Sequence, residues 1–307
     1  MIQVKSPGMF TTVQDLGRDG FGPLGVSASG AADAVALRVG NRLVGNSESS
    51  AALEMTLLGG TFVFERDAVV AVTGSDFGSP LPLWTAVQVQ AGQTLAFGPT
   101  RSGARCYLCV RGGISVPLFL GSASTHVLSG LGGYEGRPLR KGDTLAIGES
   151  HGDFEPRSVR VEALQMIAPR KVLRVTSGPQ AEWFSDSSRQ RFYTEAYRVT
   201  EESNRMGLRL SSTQARMPVL LKQMITEPVA LGAIQVPADG QPIILFVEQQ
   251  TTGGYPKIAN VISADLSSVG QLRPRDEVRF ELVSIADARR LIWEQEELLR
   301  SEVLFLP

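Results

Sequence analysis

The chain has 307 residues, 43% of them hydrophobic and 20% charged, with a formal net charge of −1. That balance is ordinary for a globular protein, and the length favours two domains with separate cores. It excludes nucleic-acid or anionic-membrane binding driven by bulk charge, and no apolar run approaches membrane-spanning length.

The first eight residues, Met1-Ile2-Gln3-Val4-Lys5-Ser6-Pro7-Gly8, read as a strand entering a turn. They lack the long apolar stretch of a signal peptide, so a cytoplasmic location is expected. The segment 11–20 is a first polar cluster, in which Gln14, Asp15 and Arg18 surround a glycine. Asp15 and Arg18 could pair across a turn, an exposed contact that contributes roughly 0 to 1 kcal/mol. A helix is predicted over 31–44, with Asp33 in its first turn and Gly45-Asn46 as its stop. Short strands then follow in quick succession, at Thr61–Phe64, 68–72, Ala86–Val89 and 94–97, separated by turn residues.

Cys106 and Cys109 are the only cysteines and form a C-x-x-C, but within a segment that reads as a strand ending at Gly112-Gly113. Residues three apart on a strand face opposite sides of the sheet. The pair is therefore read as two packing residues, not as a redox motif or a zinc site, since His126 and His151 are the only histidines. The run Gly121-Ser122-Ala123-Ser124-Thr125-His126, leading into the glycines of 130–136, could cradle an anion or be a set of turns. A Pro- and charge-bearing joint lies near 155–169, and a second helix is predicted after Pro179 to include Trp183 and Phe184.

The segment 201–207 reads as a turn with Asn204 or Gly207 in the left-handed region, and it carries Arg205. The most informative stretch follows the apolar strand predicted at 243–247. There Glu248 precedes Gln250, Thr251, Thr252, Gly253, Gly254, Tyr255 and, shortly after, Lys257. The paired glycines suit positive φ and close backbone approach, and the hydroxyls and lysine suit an anion. A turn explains the glycines but not their neighbours, so this stretch is read as a binding site. A final helix is predicted from Ser284, with Asp287 completing a capping box, and its stripe of Ala288, Leu291, Ile292, Leu298 and Leu299 is read as packing on its own domain.

The pattern also repeats. Residues 2–8 resemble 173–179, and 91–97 resemble 274–280, which predicts two related β-barrels, 1–160 and 161–307, the second ending in the helix. Density of short strands favours a mainly β fold over a doubly wound one. No Walker sequence, dinucleotide fingerprint, G-x-S-x-G elbow or H-E-x-x-H occurs, and no metal site is expected.

Several segments in order, among them 12–18, 41–46, Leu53-Glu54-Met55-Thr56, Ser203-Asn204-Arg205-Met206-Gly207, Gly232-Ala233-Ile234-Gln235-Val236-Pro237 and 250–256, resemble the biotin-dependent carboxyltransferase-like family, also called allophanate hydrolase subunit 2. The resemblance spans nearly the whole chain. It implies two tandem cyclophilin-like β-barrels and a place as the C component of an ATP-dependent 5-oxoprolinase, which opens 5-oxo-L-proline to L-glutamate. It also implies two partners, the A component and a B component that is KipI-like or allophanate hydrolase subunit 1-like, with Mg-bound ATP as cofactor of the complex. Under that reading Arg18, Arg205 and Lys257 suit phosphates, Asp15 and Glu248 suit Mg²⁺ or proton transfer, and Gln14, Asn204, Gln250, Thr251 and Thr252 suit the lactam. Alternatives on the same scaffold are a biotin-dependent urea carboxyltransferase and a KipA-type antagonist of a histidine-kinase inhibitor. The chain departs from the family at Ala123, where an arginine is frequent, at Glu248, where aspartate is common, and at Arg275, where glycine is common.

Overall fold

In the computed structural model, which describes residues 1–150, 154–212, 217 and 224–306, the chain is mainly β, as the strand density predicts, and divides into two compact units. The first comprises 1–18, 29–168 and 297–307; the second comprises 19–28 and 169–296.

In the first unit, two five-stranded sheets share one apolar core. One sheet runs from Thr94–Ala96 through Thr61–Phe64, Ile2–Ser6 and Thr144–Ile147 to Ile114–Ser115. The other runs from Phe10–Gln14 through Ala52–Thr56, Arg105–Val110 and Ala68–Gly74 to Ala86–Val89. Alternation sends Ile2, Phe62, Leu53, Val72 and Cys106 inward to that core. The opposite face of the second sheet presents Ala52, Ala71, Tyr107 and Cys109 to the helix Ala34–Leu43. Cys106 and Cys109 thus lie buried and unbridged on opposite sides of one strand, and burial pushes both thiols far above their ordinary range.

The helix begins three residues later than 31 because Asp33 caps it: the Asp33 carboxylate accepts from the Ala36 amide. The turns beneath it are fixed by Glu54, fully buried, whose Oε2 accepts from the Tyr107 hydroxyl (2.7 Å) and the Ala32 amide (2.8 Å). Arg105 faces the other oxygen at 3.4 Å.

The second unit is built on a closed seven-stranded barrel. Its order is Val172–Ser177, Lys257–Val261, Ala233–Gln235, Ile243–Leu245, Gly207–Ser211, Tyr197–Val199 and Glu277–Leu282. All neighbours are antiparallel except the closing pair, where Val172–Ser177 lies parallel to Glu277–Leu282. Val175, Val199, Leu210, Ile234 and Ile244 are buried there. The segment after Pro179 makes only a 3₁₀ turn, Ala181–Trp183, before a separate helix, Asp186–Thr194, capped by Ser185. That helix seats Phe192 flat against Phe280 with centroids 4.5 Å apart.

The last helix spans Ile285–Arg300. The predicted Ser284–Asp287 pair caps it, the Ser284 hydroxyl accepting from the Asp287 amide and donating to its carboxylate. Among the described residues no helix is long and apolar enough to cross a membrane.

Candidate functional site

The sequence-predicted residues fall in both units. Gln14, Asp15 and Arg18 belong to the first; Asn204, Arg205, Glu248, Lys257 and the 250–255 stretch belong to the second.

In the first unit, the Asp15 carboxylate is taken up by the loop 122–124 and its own turn. Oδ1 accepts from the hydroxyls of Ser122 (2.6 Å) and Ser124 (2.5 Å) and from the Gly17 amide (2.8 Å), and Oδ2 accepts from the Ala123 amide (2.7 Å). Both oxygens accept hydrogen bonds from this loop and turn, so the carboxylate ties the two together. Arg18 is buried against the same loop, donating to the Ser124 and Phe119 carbonyls with its guanidinium over the Phe119 ring. Gln14 donates to Thr12 and the Thr125 carbonyl. The glycine-rich stretch serves close packing: a Cβ on Gly133 would overlap the Thr125 side chain, and Gly132 lies against the Ser124 carbonyl and Arg18.

In the second unit, two buried cations each face a carboxylate. Arg205 Nε donates to Glu248 Oε1, both side chains being about 5% exposed. Their backbones are tied as well, the Glu248 amide donating to the Arg205 carbonyl. The turn around Arg205 is held by Asn204, whose carboxamide oxygen accepts from the Met206 amide. Neither Asn204 nor Gly207 adopts positive φ, which corrects the left-handed reading: an Asx bond closes the turn instead.

Lys257 is 4% exposed and opens the strand after the motif. Its ammonium donates to Glu227 Oε1, which also accepts from Gln180 Nε2 at 3.0 Å. Gln180 accepts in turn from the Lys257 amide at 3.1 Å. The Lys257 ammonium, and after it the Gln180 amide, hold the Glu227 carboxyl below its usual range. Opposite Lys257 in the barrel stands Gln235, 1% exposed, whose Oε1 accepts from Gln250 Nε2 at 3.2 Å.

Around this core the motif supplies an accessible rim. Gln250, Thr252, Gly254 and Tyr255 are exposed and Thr251 half-buried, and Thr252–Gly253 pairs with Glu227–Pro228. Neither Gly253 nor Gly254 has positive φ. Gly253 is needed for approach, since a Cβ there would collide with the Gln235 carboxamide. Gln180, Glu227 and Gln235 are not singled out by sequence. Gln180 and Glu227 arrive from 77 and 30 positions away, whereas Gln235 lies inside a family-like segment without a chemical signal of its own.

Among the described residues, no three His, Cys, Asp or Glu side chains are grouped to hold a metal. The arrangement sets buried carboxamides and two paired cations beneath an exposed rim of hydroxyls, a polar, charge-balanced set of groups.

The family model for the carboxyltransferase domain, subdomains A and B, matches residues 24–282. The chain is 38% identical over 301 residues to the C subunit of 5-oxoprolinase from Escherichia coli (strain K12), covering 96% of each. It is 37% identical to a Haemophilus influenzae protein of the same name, over 95% of this chain and 94% of that one. The solved structure of K. lactis urea amidolyase is similar over the whole chain, with a TM-score of 0.89 at 31% identity, although the match spans 21% of that larger protein.

Proposed function

The chain belongs to the carboxyltransferase domain family, subdomains A and B, and from that membership we propose that it is the C component of an ATP-dependent 5-oxoprolinase, opening 5-oxo-L-proline to L-glutamate together with the A and B components. One observation carries the choice. The likeness to the 5-oxoprolinase C proteins runs nearly end to end in both partners, as expected for a stand-alone component.

The chemistry of the second-unit site supports an amide as ligand. A lactam carbonyl is a weak electrophile that gains from donors aimed at its oxygen. The carboxamides of the site can meet the lactam group, while the carboxylate of 5-oxo-L-proline, for which the Glu227-paired Lys257 holds no spare charge, is left to the exposed edge. Thr251, Thr252 and Tyr255 supply hydroxyls at its edge.

The ion pairs of this site speak against a nucleotide bound there. A triphosphate and its magnesium require uncompensated cations and grouped carboxylates. Here Arg205 and Lys257 are each matched by a glutamate, and no acidic group is assembled for a metal among the described residues. Nucleotide handling therefore falls, in this proposal, to the partners: the A component and the KipI-like, allophanate hydrolase subunit 1-like B component.

The test is 5-oxo-L-proline-dependent ATP hydrolysis and glutamate release by the chain combined with both partners, omitting each in turn. Turnover that requires this chain is expected. The likeness over the full chain to K. lactis urea amidolyase gives the second reading, a carboxyltransferase component acting on urea with a biotinylated carrier. An inert three-component mixture, combined with carboxylation of urea on addition of that carrier, would replace the first reading with the second.

A further inference from the structure

We propose that Gln235 is the substrate-contacting residue of the second-unit site, its carboxamide N–H donating to the carbonyl oxygen of an amide ligand. The inference deepens the function proposed above and rests on it for the natural substrate.

Three observations converge. Gln235 is 1% exposed, its Oε1 is engaged by Gln250, and its Nε2 has no hydrogen-bond partner among the described residues. A buried donor without a partner is costly, and a protein retains one where a ligand completes it. Secondly, Gly253 lies directly against that donor: a Cβ there would overlap Nε2 and come within 3.1 Å of Val229 Cγ1, so glycine lets the motif backbone close on the Gln235 carboxamide. Thirdly, the pairing of Ala233–Gln235 with Lys257–Val261 shifts register between Ile234 and Gln235. A bulge re-aims the residue that follows it, and here it sets Gln235 opposite Lys257.

The polarity of the site sets the ligand chemistry. Gln235 accepts from Gln250 through its oxygen, so the open group is a donor, and the charge of Lys257 is balanced by Glu227. A neutral carbonyl oxygen meets that donor without demanding a second positive charge. A lactam or a urea presents one. Both belong to the class, and they are separated by experiment.

Binding of 5-oxo-L-proline, 2-pyrrolidinone and urea to the full chain would be measured by calorimetry or ligand-observed NMR, for the native chain and for Gln235→Met and Gln235→Glu. Thermal unfolding of each would be recorded alongside. At least one amide is expected to bind the native chain and to bind Gln235→Met about ten-fold or more weakly, while the unfolding temperature holds or rises because an unpartnered donor has gone. Gln235→Glu, with the shape kept but the donor removed, is expected to lose binding as well. Equal binding by Gln235→Met, full binding by Gln235→Glu, or no binding of any amide to the native chain would each overturn the assignment. A fall in unfolding temperature with unchanged affinity would show Gln235 to be a packing residue. Binding of urea or 2-pyrrolidinone but not 5-oxo-L-proline, lost in both variants, would uphold Gln235 and sink the 5-oxoprolinase reading. An active complex whose KM is unchanged by Gln235→Met would do the reverse.

Discussion

Replacing Asp15 with asparagine tests whether its carboxylate is a clamp or a reacting group. The native side chain accepts four hydrogen bonds at 2.5–2.8 Å, two from serine hydroxyls and two from backbone amides, while 8% exposed. Asparagine keeps the shape but turns one acceptor into a donor. Whichever oxygen is replaced, at least one backbone amide then faces an NH₂ group and is left without an acceptor. An orphaned buried donor costs about 1–3 kcal/mol, and hydrogen bonds to a charged acceptor are roughly twice as strong as neutral ones. Together these give a loss of about 3 kcal/mol, which for a unit of this size lowers the unfolding temperature by about 6–12 °C. Differential scanning calorimetry reads that shift directly. Any loss of turnover should track the unfolded fraction and be recovered on cooling. An Asp15→Asn chain with unaltered melting but no activity in the assembled complex would refute the argument and make the carboxylate a chemical participant.

Other outcomes follow from the same geometry. Glu227 is held ionised by Lys257 and Gln180, and a carboxylate with a lowered pKa adds stability that is complete above its unfolded value and is lost as pH falls through the folded one. In Lys257→Met the Glu227 titration, followed by carboxyl NMR, should therefore move up toward the ordinary glutamate range, and that part of the acid resistance should vanish. Gly133→Ala places a Cβ on Thr125 at a backbone φ of 57°. It should cost roughly 2 kcal/mol or more in urea denaturation, and normal stability would contradict the loop packing. Cys106 and Cys109 should resist iodoacetamide in the native chain and react only on denaturation, because burial keeps both thiols protonated. Rapid native labelling of either one would contradict the placement of that strand.

What the sequence reveals is what depends on period and on neighbours. Alternation places Cys106 and Cys109 on opposite faces, and local capping chemistry locates the start of the last helix at Ser284 and Asp287. Where the competing contact comes from far along the chain, local reasoning fails. Arg205 and Lys257 look like cations awaiting an anion until Glu248, 43 residues on, and Glu227, 30 residues back, are folded against them. The glycines of 253–254 look like a turn signal, yet Gly253 answers to Gln235, well before it in the chain and packed directly against it. Turn residues are ambiguous for a related reason: Asn204 can enter the left-handed region or bond its own backbone, and sequence alone does not choose between them.

The parallel closing pair of the barrel has a consequence for biosynthesis. Val172–Ser177 opens the ring and Glu277–Leu282 seals it, so the whole stretch between them must leave the ribosome before the first strand meets its second neighbour. Until then both flanking edges stay unpaired, the condition under which strands recruit other chains. A nascent chain stalled before residue 277 should depend on chaperones and aggregate when they are depleted, whereas the full-length chain should not.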